Sequence, residues 1–222
     1  MSGILVIDKS AGVTSTRVVS RVKRLLPRST KVGHAGTLDP FATGVLVLLI
    51  GRATRQCEAI MGQRKRYEAV VKLGATTETD DPDSLERPSA GAGPVDRERI
   101  EAALRNFVGP IQQRPPAYSA IKIGGKRACD RVRAGQAVEL EPRTVHVYRF
   151  DITEFEWPRL GLSIECGRGT YIRAIARDLG EALGVGGYLT ELRRTAVGEY
   201  TIEDAVSVDE LDAETVLRSL RE

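Results

Sequence analysis

Residues 33–44 read GHAGTLDPFATG, which sets one histidine, His34, and one aspartate, Asp39, among the glycines Gly33, Gly36 and Gly44 and directly before the apolar run Val45 to Ile50. Pro40 holds the residue before it out of the helical region. A carboxylate fixed between a glycine-rich turn and a buried strand has the rigid support that a nucleophile or general base needs. The same composition also describes an ordinary turn, in which Asp-Pro is a common element. Taken alone, Asp39 lacks an activating neighbour.

Two other stretches contain candidates. QRKRY, Gln63 to Tyr67, clusters Arg64, Lys65 and Arg66 ahead of a strand that begins with an aromatic residue. That pattern suits phosphate contact beside base stacking, or equally a solvated basic turn before an edge strand. CGRGTYIR, Cys166 to Arg173, is a Gly-x-Gly turn feeding a helix whose first turn carries Tyr171 and Arg173. A helix N-terminus disfavours a cation, so Arg173 calls for an anionic partner. Facing Asp39, it would keep that carboxylate ionised and fix its rotamer. Sequence spacing does not show whether they meet. Phosphate-loop and dinucleotide patterns are missing, and two histidines with three scattered cysteines do not make a metal-ligand set. The expectation is chemistry without a metal or cofactor.

The elements that must position these residues follow from periodicity. Ile4 to Asp8 reads as a short buried strand, with Thr14 or Ser15 capping a helix whose stripe is Val18, Val19, Val22, Leu25 and Leu26, ending at Pro27. Val45 to Ile50 reads as a strand buried on both faces, and Tyr67 to Leu73 as a half-buried one. Residues 75–96 are polar, acidic and rich in Gly, Pro and Ser, and read as an exposed loop. A helix through Ile100, Ala103, Leu104 and Phe107 follows, then a Gly-Gly turn at 124–125, and two alternating strands split at Trp157-Pro158. The helix after Gly169 has Thr170 as its expected cap. Ser207 with Glu210 forms a capping-box pattern for a C-terminal helix. The predicted class is α+β, with a mixed, mainly antiparallel central sheet flanked by helices and loops.

With 222 residues the chain can bury a sizeable core, and its longest apolar run is far too short to span a bilayer. No basic region precedes the apolar residues of the N-terminus, so a cytoplasmic address and no membrane association are expected. Cys57, Cys129 and Cys166 are expected to be free thiols. The net charge of +3 hides a pattern: segment charges run +9 over residues 1–72, −5 over 73–98, +6 over 99–177 and −7 beyond. The basic segments could face a polyanion.

GHAGTLDPFATGVLVLLIGRATR, preceded by GILVIDKSAGVTS and followed by KRY, PPAYSAIKIGGKR, CGRGTYIRAIARDLGEALG and LRRTAVG, resembles the TruB-type tRNA pseudouridine synthases in order, spacing and nearly verbatim motif, from about Gly3 to Glu210. The resemblance implies the pseudouridine synthase fold around an RNA-binding cleft. It also implies isomerisation of the T-loop uridine of tRNA (position 55 in tRNA numbering) to pseudouridine. That reaction is redox-neutral, which suits the lack of cofactor motifs. Asp39 matches the family's catalytic aspartate, Arg173 the arginine that pairs with it, and Tyr67 the tyrosine that stacks on the target base and is a candidate for moving a proton. His34 matches the histidine that fills the RNA stack as nucleotides flip out, and Tyr171 and Leu192 match residues lining the uracil pocket. Base flipping costs a few kcal/mol of stacking, so Arg64, Lys65, Lys122, Lys126 and Arg127 are expected to contact RNA phosphates.

The chain departs from the family pattern at Ser10, where DKPxGxTS has proline, and at Ala128 and Cys129, where a Leu-Tyr pair is usual. It ends at Glu222, leaving no room for the PUA domain that many members append. The expectation is therefore a single catalytic domain over 1–222, probing the tRNA T arm as a monomer without an obligate protein partner. Two other classes remain at this stage. One is a tRNA-folding or RNA-binding protein without chemistry, and the other is a guide-dependent enzyme acting on ribosomal RNA.

Overall fold

The apolar run that follows Asp39 becomes the strand Thr43–Ile50, with every residue from Gly44 to Ile50 buried. In the computed structural model, which describes residues 1–221, the chain divides into two compact units. The first comprises Met1–Glu68, Glu165–Arg168 and Glu191–Glu222. The second comprises Ala69–Ile164 and Gly169–Thr190. Mainly antiparallel strands and helices build both, giving the α+β class read from periodicity.

In the first unit Gly3–Lys9 runs antiparallel to Thr43–Ile50 over its whole length, from Gly3 opposite Ile50 to Lys9 opposite Gly44. The strand Gly187–Val197 pairs parallel with the start of Thr43–Ile50, Arg194 lying opposite Gly44. Alternation sends Val45, Val47 and Leu49 into one apolar cluster with Ile4, Val6 and Val197, while Leu46, Leu48, Leu5 and Ile7 on the opposite face are no more exposed. Each such aliphatic side chain contributes about 1.5–3 kcal/mol on burial, so the stretch into which the Asp39 loop feeds is the best-anchored backbone of the unit. The helix Ser15–Arg24 starts at Thr14, whose hydroxyl accepts from the Arg17 N–H at 3.2 Å, and buries Val18 and Val22.

At the C-terminus the structure corrects the sequence reading. Ser207 accepts from Asp209, not Glu210, and opens only the short 3₁₀ turn Val208–Glu210. The α-helix is Ala213–Arg218, capped by Asp212, whose carboxylate accepts from the Thr215 N–H at 2.7 Å. Ser207 is already paired as strand with Asp8, and that parallel pairing keeps the chain extended where the capping box would start a helix.

In the second unit the strands follow the order Gly187–Val197, Lys65–Leu73, Arg159–Cys166, Arg143–Glu156, Gly109–Gln113, each contributing the part that lies in this unit. Arg143–Glu156 and Arg159–Cys166 are neighbours joined at Trp157-Pro158, and Gly109–Gln113 runs antiparallel to Arg143–Glu156 with Gln113 opposite Arg143. The helix Ile172–Ala182 packs so closely that a Cβ on Gly180 would stand 2.2 Å from the Gly186 carbonyl carbon. Within 75–96, read from composition as an exposed loop, Ala75, Thr77, Asp81 and Val95 are buried, and Ala75–Thr76 pairs with Arg87–Pro88. Cys57, Cys129 and Cys166 are free. No helix among the described residues is long and apolar enough to cross a membrane.

Candidate active site

The loop carrying Asp39 is fixed through its backbone on both sides of the carboxylate. Ser15 is buried, and its hydroxyl accepts from the Leu38 N–H and donates to the Leu38 carbonyl, each at 2.9 Å. The Pro40 carbonyl accepts from the Gly12 N–H at 2.8 Å and from the Lys9 ammonium at 3.2 Å. Asp39 closes its own turn by accepting from the Ala42 N–H at 3.2 Å. Arg194, only 2% exposed, donates to the carbonyls of Gly36 at 3.1 Å, Thr37 at 3.4 Å and Val45 at 2.8 Å. At Gly44, φ is 96° and a Cβ would meet the Arg194 carbonyl oxygen at 2.2 Å, so only glycine allows the loop to join the strand beside Arg194. The flanking side chains of Leu38 and Ala42 are buried and that of Asp39 is half-buried.

Two buried cations shape the field here. Burial pushes the Lys9 ammonium down to about 8, with attraction to Asp39 opposing and repulsion from Arg194 adding to the shift. Its charge is further spread over the carbonyls of Ser10 and Val13 at 2.9 and 2.8 Å. Tyr67 is buried, and burial raises its phenol above the usual range, against which Arg194 acts both by attraction and by hydrogen bonding. Asp39 also adds a smaller repulsion that raises the same phenol. Arg194 therefore couples the Asp39 loop to Tyr67. Leu192, two residues earlier on the same strand and so on the same side, is buried as well. His34 ends the strand Val32–His34 half-buried, and burial followed by the Arg194 charge lowers its pKa, leaving a neutral ring at pH 7 whose Nδ1 is buried without a hydrogen bond.

Lys65 departs from the reading as a phosphate contact. The strand Lys65–Leu73 alternates Lys65, Tyr67 and Ala69 inward with Arg66 and Glu68 outward. The Lys65 ammonium donates to the carbonyls of Met61 and Gln63 at the end of the preceding helix, and burial pushes it down to about 8. Arg64 is exposed and pairs with Glu165 at 2.8 Å. Together with Gln63, Arg66 and Gly198 this pair lines a shallow depression.

The second unit holds Tyr171 and Arg173. Tyr171, not the expected Thr170, occupies the N-cap position of the helix Ile172–Ala182, without a cap hydrogen bond from its own side chain. The cap is served from 58 residues away by Gln113, fully buried, whose Oε1 accepts from the Tyr171 N–H at 2.8 Å while its Nε2 donates to the Tyr171 carbonyl at 3.0 Å. The Arg143 guanidinium lies 5.2 Å from the centre of the Tyr171 ring and donates to the Gly169 carbonyl. Arg173 is 3% exposed, donates to the carbonyls of Thr79 at 2.8 Å and Tyr118 at 3.0 Å, and forms an ion pair with Asp81 at 3.1 Å. Asp81 is itself held by the Thr79 hydroxyl and by the Asp83 N–H at 3.0 Å. Lys122, Lys126 and Arg127 are exposed on a small hairpin, free of ion pairs among the described residues.

The structure thus assembles Asp39, Tyr67, His34 and Leu192 in one unit and Tyr171, Arg173 and the hairpin cations in the other. Lys9, Arg194 and Asp81 were missed from sequence. Each sits in a motif already quoted or in the acidic run, but its role is made by contacts far apart in the chain. Among the described residues no group of three or more His, Cys, Asp or Glu side chains could hold a metal ion.

The chain as a whole is similar to known proteins. The family described as TruB family pseudouridylate synthase (N terminal domain) matches residues 23–172, and the tRNA pseudouridylate synthase B C-terminal domain matches 173–221. A tRNA pseudouridine synthase B of Corynebacterium aurimucosum is 50% identical over 215 residues, covering 95% of this chain and 72% of the relative. One of Thermobifida fusca is 46% identical, covering 99% and 78%. Among solved structures, a chain of a Cbf5-Nop10-Gar1 complex superposes with a TM-score of 0.71 at 31% identity over 94% of this chain, which spans only 53% of that longer one. With half the sequence shared with such relatives and both family domains present in order, this chain belongs to the TruB family of pseudouridylate synthases.

Proposed function

We propose that the protein isomerises uridine to pseudouridine in tRNA, at the T-loop uridine (position 55 in tRNA numbering), with Asp39 as the catalytic carboxylate. The observation that carries the reading is the backbone clamp around Asp39: hydrogen bonds from Ser15, Gly12, Lys9 and Arg194 fix the residues on either side of it. Preorganising a group in this way removes the cost of orienting it during reaction. The reaction breaks the N1–C1′ glycosidic bond and forms a C5–C1′ bond, and the proton lost from C5 is balanced by one gained at N1. Nothing is oxidised and no group is imported. Whether the carboxylate attacks the base, attacks the sugar or takes a sugar proton, it must be ionised, and the attraction between it and the Lys9 ammonium favours that state.

In this reading Tyr67, hydrogen-bonded to Arg194, offers the flipped base a ring and a phenolic proton. His34, neutral and with one ring nitrogen unpaired, takes the space the flipped nucleotide leaves. Leu192 and Tyr171 line the uracil pocket, Arg173 is the arginine of the catalytic set, and Arg64, Lys122, Lys126 and Arg127 contact phosphates. The protein acts in the cytoplasm as a monomer, with no cofactor and no obligate partner.

The test is pseudouridine formation on an isolated T-arm stem-loop by purified wild-type protein and Asp39→Asn. The expected result is activity in the first and loss of chemistry with retained binding in the second. Undiminished modification by Asp39→Asn overturns the role of Asp39. A wild-type protein silent on the stem-loop points instead to a guide-dependent enzyme.

A further inference from the structure

From Lys9 to Cys57 the chain has nine lysines and arginines and a single acid, Asp39. Lys9 is buried, and Arg21 is occupied by the carbonyls of Asp209 and Leu211. The remaining seven are exposed. Arg17, Lys23 and Arg24 stand on the helix Ser15–Arg24, followed by Arg28 and Lys31. Arg52 and Arg55 belong to the turn Gly51–Gln56, which the Gly51 N–H ties to the Lys31 carbonyl at 2.8 Å. Among the described residues none of the seven forms an ion pair or a side-chain hydrogen bond. Exposed arginines elsewhere do: Arg97, Arg114, Arg149, Arg159 and Arg168 each have a carboxylate within 2.6–2.8 Å.

Seven neighbouring cations without counterions repel one another and cost the folded state stability. A partner with closely spaced negative charges reverses that sign, since each phosphate neutralised releases condensed counterions. The helix also says which polyanion. Its apolar residues Val18 and Val22 are buried inside the unit and Val19 is half-buried, so its exposed residues are Thr16, Arg17, Ser20, Lys23 and Arg24, all polar or charged, whereas a helix that docks on a membrane must keep an apolar face free. Its first residue, Ser15, is the one that holds Leu38 beside Asp39, so the charged surface starts at the support of the proposed catalytic loop.

We propose that this surface, formed by Arg17, Lys23, Arg24, Arg28 and Lys31 with Arg52 and Arg55, is a sequence-independent contact for RNA phosphates beyond the flipped nucleotide. It rests on the reading of the protein as a tRNA-modifying enzyme. It adds a second binding region to that reading, distinct from Arg64, Lys122, Lys126 and Arg127.

The test compares wild type with the triple variant Arg17→Gln, Arg24→Gln, Arg28→Gln, and with Arg97→Gln as a control that removes a paired arginine. Binding of a whole tRNA transcript is titrated over a range of KCl concentrations, and pseudouridine formation is followed on the same RNA. The expected result is a log Kd against log salt slope shallower by about 2–2.7 in the triple variant, from about 0.7–0.9 per lost phosphate contact. Its KM rises more than its kcat changes, and the control keeps the wild-type slope. An unchanged slope and Kd in the triple variant overturn the proposal. So does lost binding to vesicles containing phosphatidylserine with RNA binding intact, which would make the surface a membrane contact. If wild type binds tRNA but makes no pseudouridine, the functional reading fails while the two salt slopes still decide the surface.

Discussion

The Ser15 hydroxyl takes both hydrogen-bonding groups of Leu38, its N–H and its carbonyl, at 2.9 Å each, so one side chain at the start of a helix fixes the two peptide units on either side of Leu38, the second of which leads into Asp39. No other residue at position 15 can donate and accept there except threonine. Ser15→Ala leaves two buried backbone groups unpaired, a loss on the order of 2–4 kcal/mol. The expected outcome is a lowered unfolding midpoint and, in protein that is still folded, a kcat on tRNA that falls more than the affinity does. Ser15→Thr restores part of both. A folded Ser15→Ala protein with wild-type kcat would show that the clamp does not serve catalysis.

Arg194 has a different task, because it reaches three loop and strand carbonyls and the Tyr67 phenol from one buried guanidinium. A lysine cannot copy that spread, since its donors radiate from a single nitrogen. Arg194→Lys is expected to fold with reduced stability and to lose most activity. With the arginine replaced by methionine, the attraction that lowers the Tyr67 phenol is gone, and the tyrosine titrates at higher pH than in wild type. Spectroscopic titration against a Tyr67→Phe background checks this. A titration curve that does not move would remove Arg194 from the account of Tyr67.

Local pattern was enough for elements whose stability is local. The alternation of Tyr67 to Leu73 and the unbroken burial of Val45 to Ile50 follow from periodicities that a few residues define, and the helix start was legible to within one residue, Thr14 or Ser15, of which Thr14 is the cap. The motif around Asp39 was legible because glycine, proline and a lone acid constrain the backbone wherever they occur together. Lys65 was misread because a charged residue ahead of a strand was assumed to be solvated, whereas the strand's phase turns it inward and helix-end carbonyls solvate it. Asp81 was hidden by its acidic, glycine-rich surroundings, and only the unusual arginine in a helix first turn hinted that an anion was needed. The Ser207 cap failed for a comparable reason, as strand pairing with Asp8 outweighed local capping preference.

Lys9 makes the stability of the protein depend on alkaline pH. Its pKa is pushed down to about 8 from an ordinary 10.5, chiefly by burial. Below pH 8 the lysine is charged in both the folded and unfolded chain, and the burial penalty is fully present. Between about 8 and 10.5 the unfolded chain still binds a proton that the folded protein has released, so this contribution to stability rises with pH. Lys65 shares the window, which makes the informative quantity the difference between wild type and Lys9→Met. Denaturant unfolding at a series of pH values should show that difference moving in favour of wild type as pH rises above 8. Parallel curves would mean that Lys9 keeps its ordinary pKa.

Gln113 offers a test of how firmly Tyr171, proposed above to line the uracil pocket, must be held. Its carboxamide meets the Tyr171 N–H and carbonyl together, which requires one acceptor and one donor on the same planar group. Gln113→Glu preserves the shape and the acceptor but turns the donor into a second oxygen facing the Tyr171 carbonyl. Protonation repairs this, because a neutral carboxyl group again carries a donor. The folded protein therefore binds that proton more tightly than the unfolded chain, and stability of the variant rises relative to wild type as pH falls toward the carboxyl range. If Tyr171 orients the base, the variant's kcat relative to wild type recovers over the same pH interval, while Gln113→Ala, with no group to protonate, stays impaired throughout. Recovery of stability without recovery of kcat would confine Gln113 to capping the helix, and a pH-independent Gln113→Glu would mean that its second oxygen finds another donor.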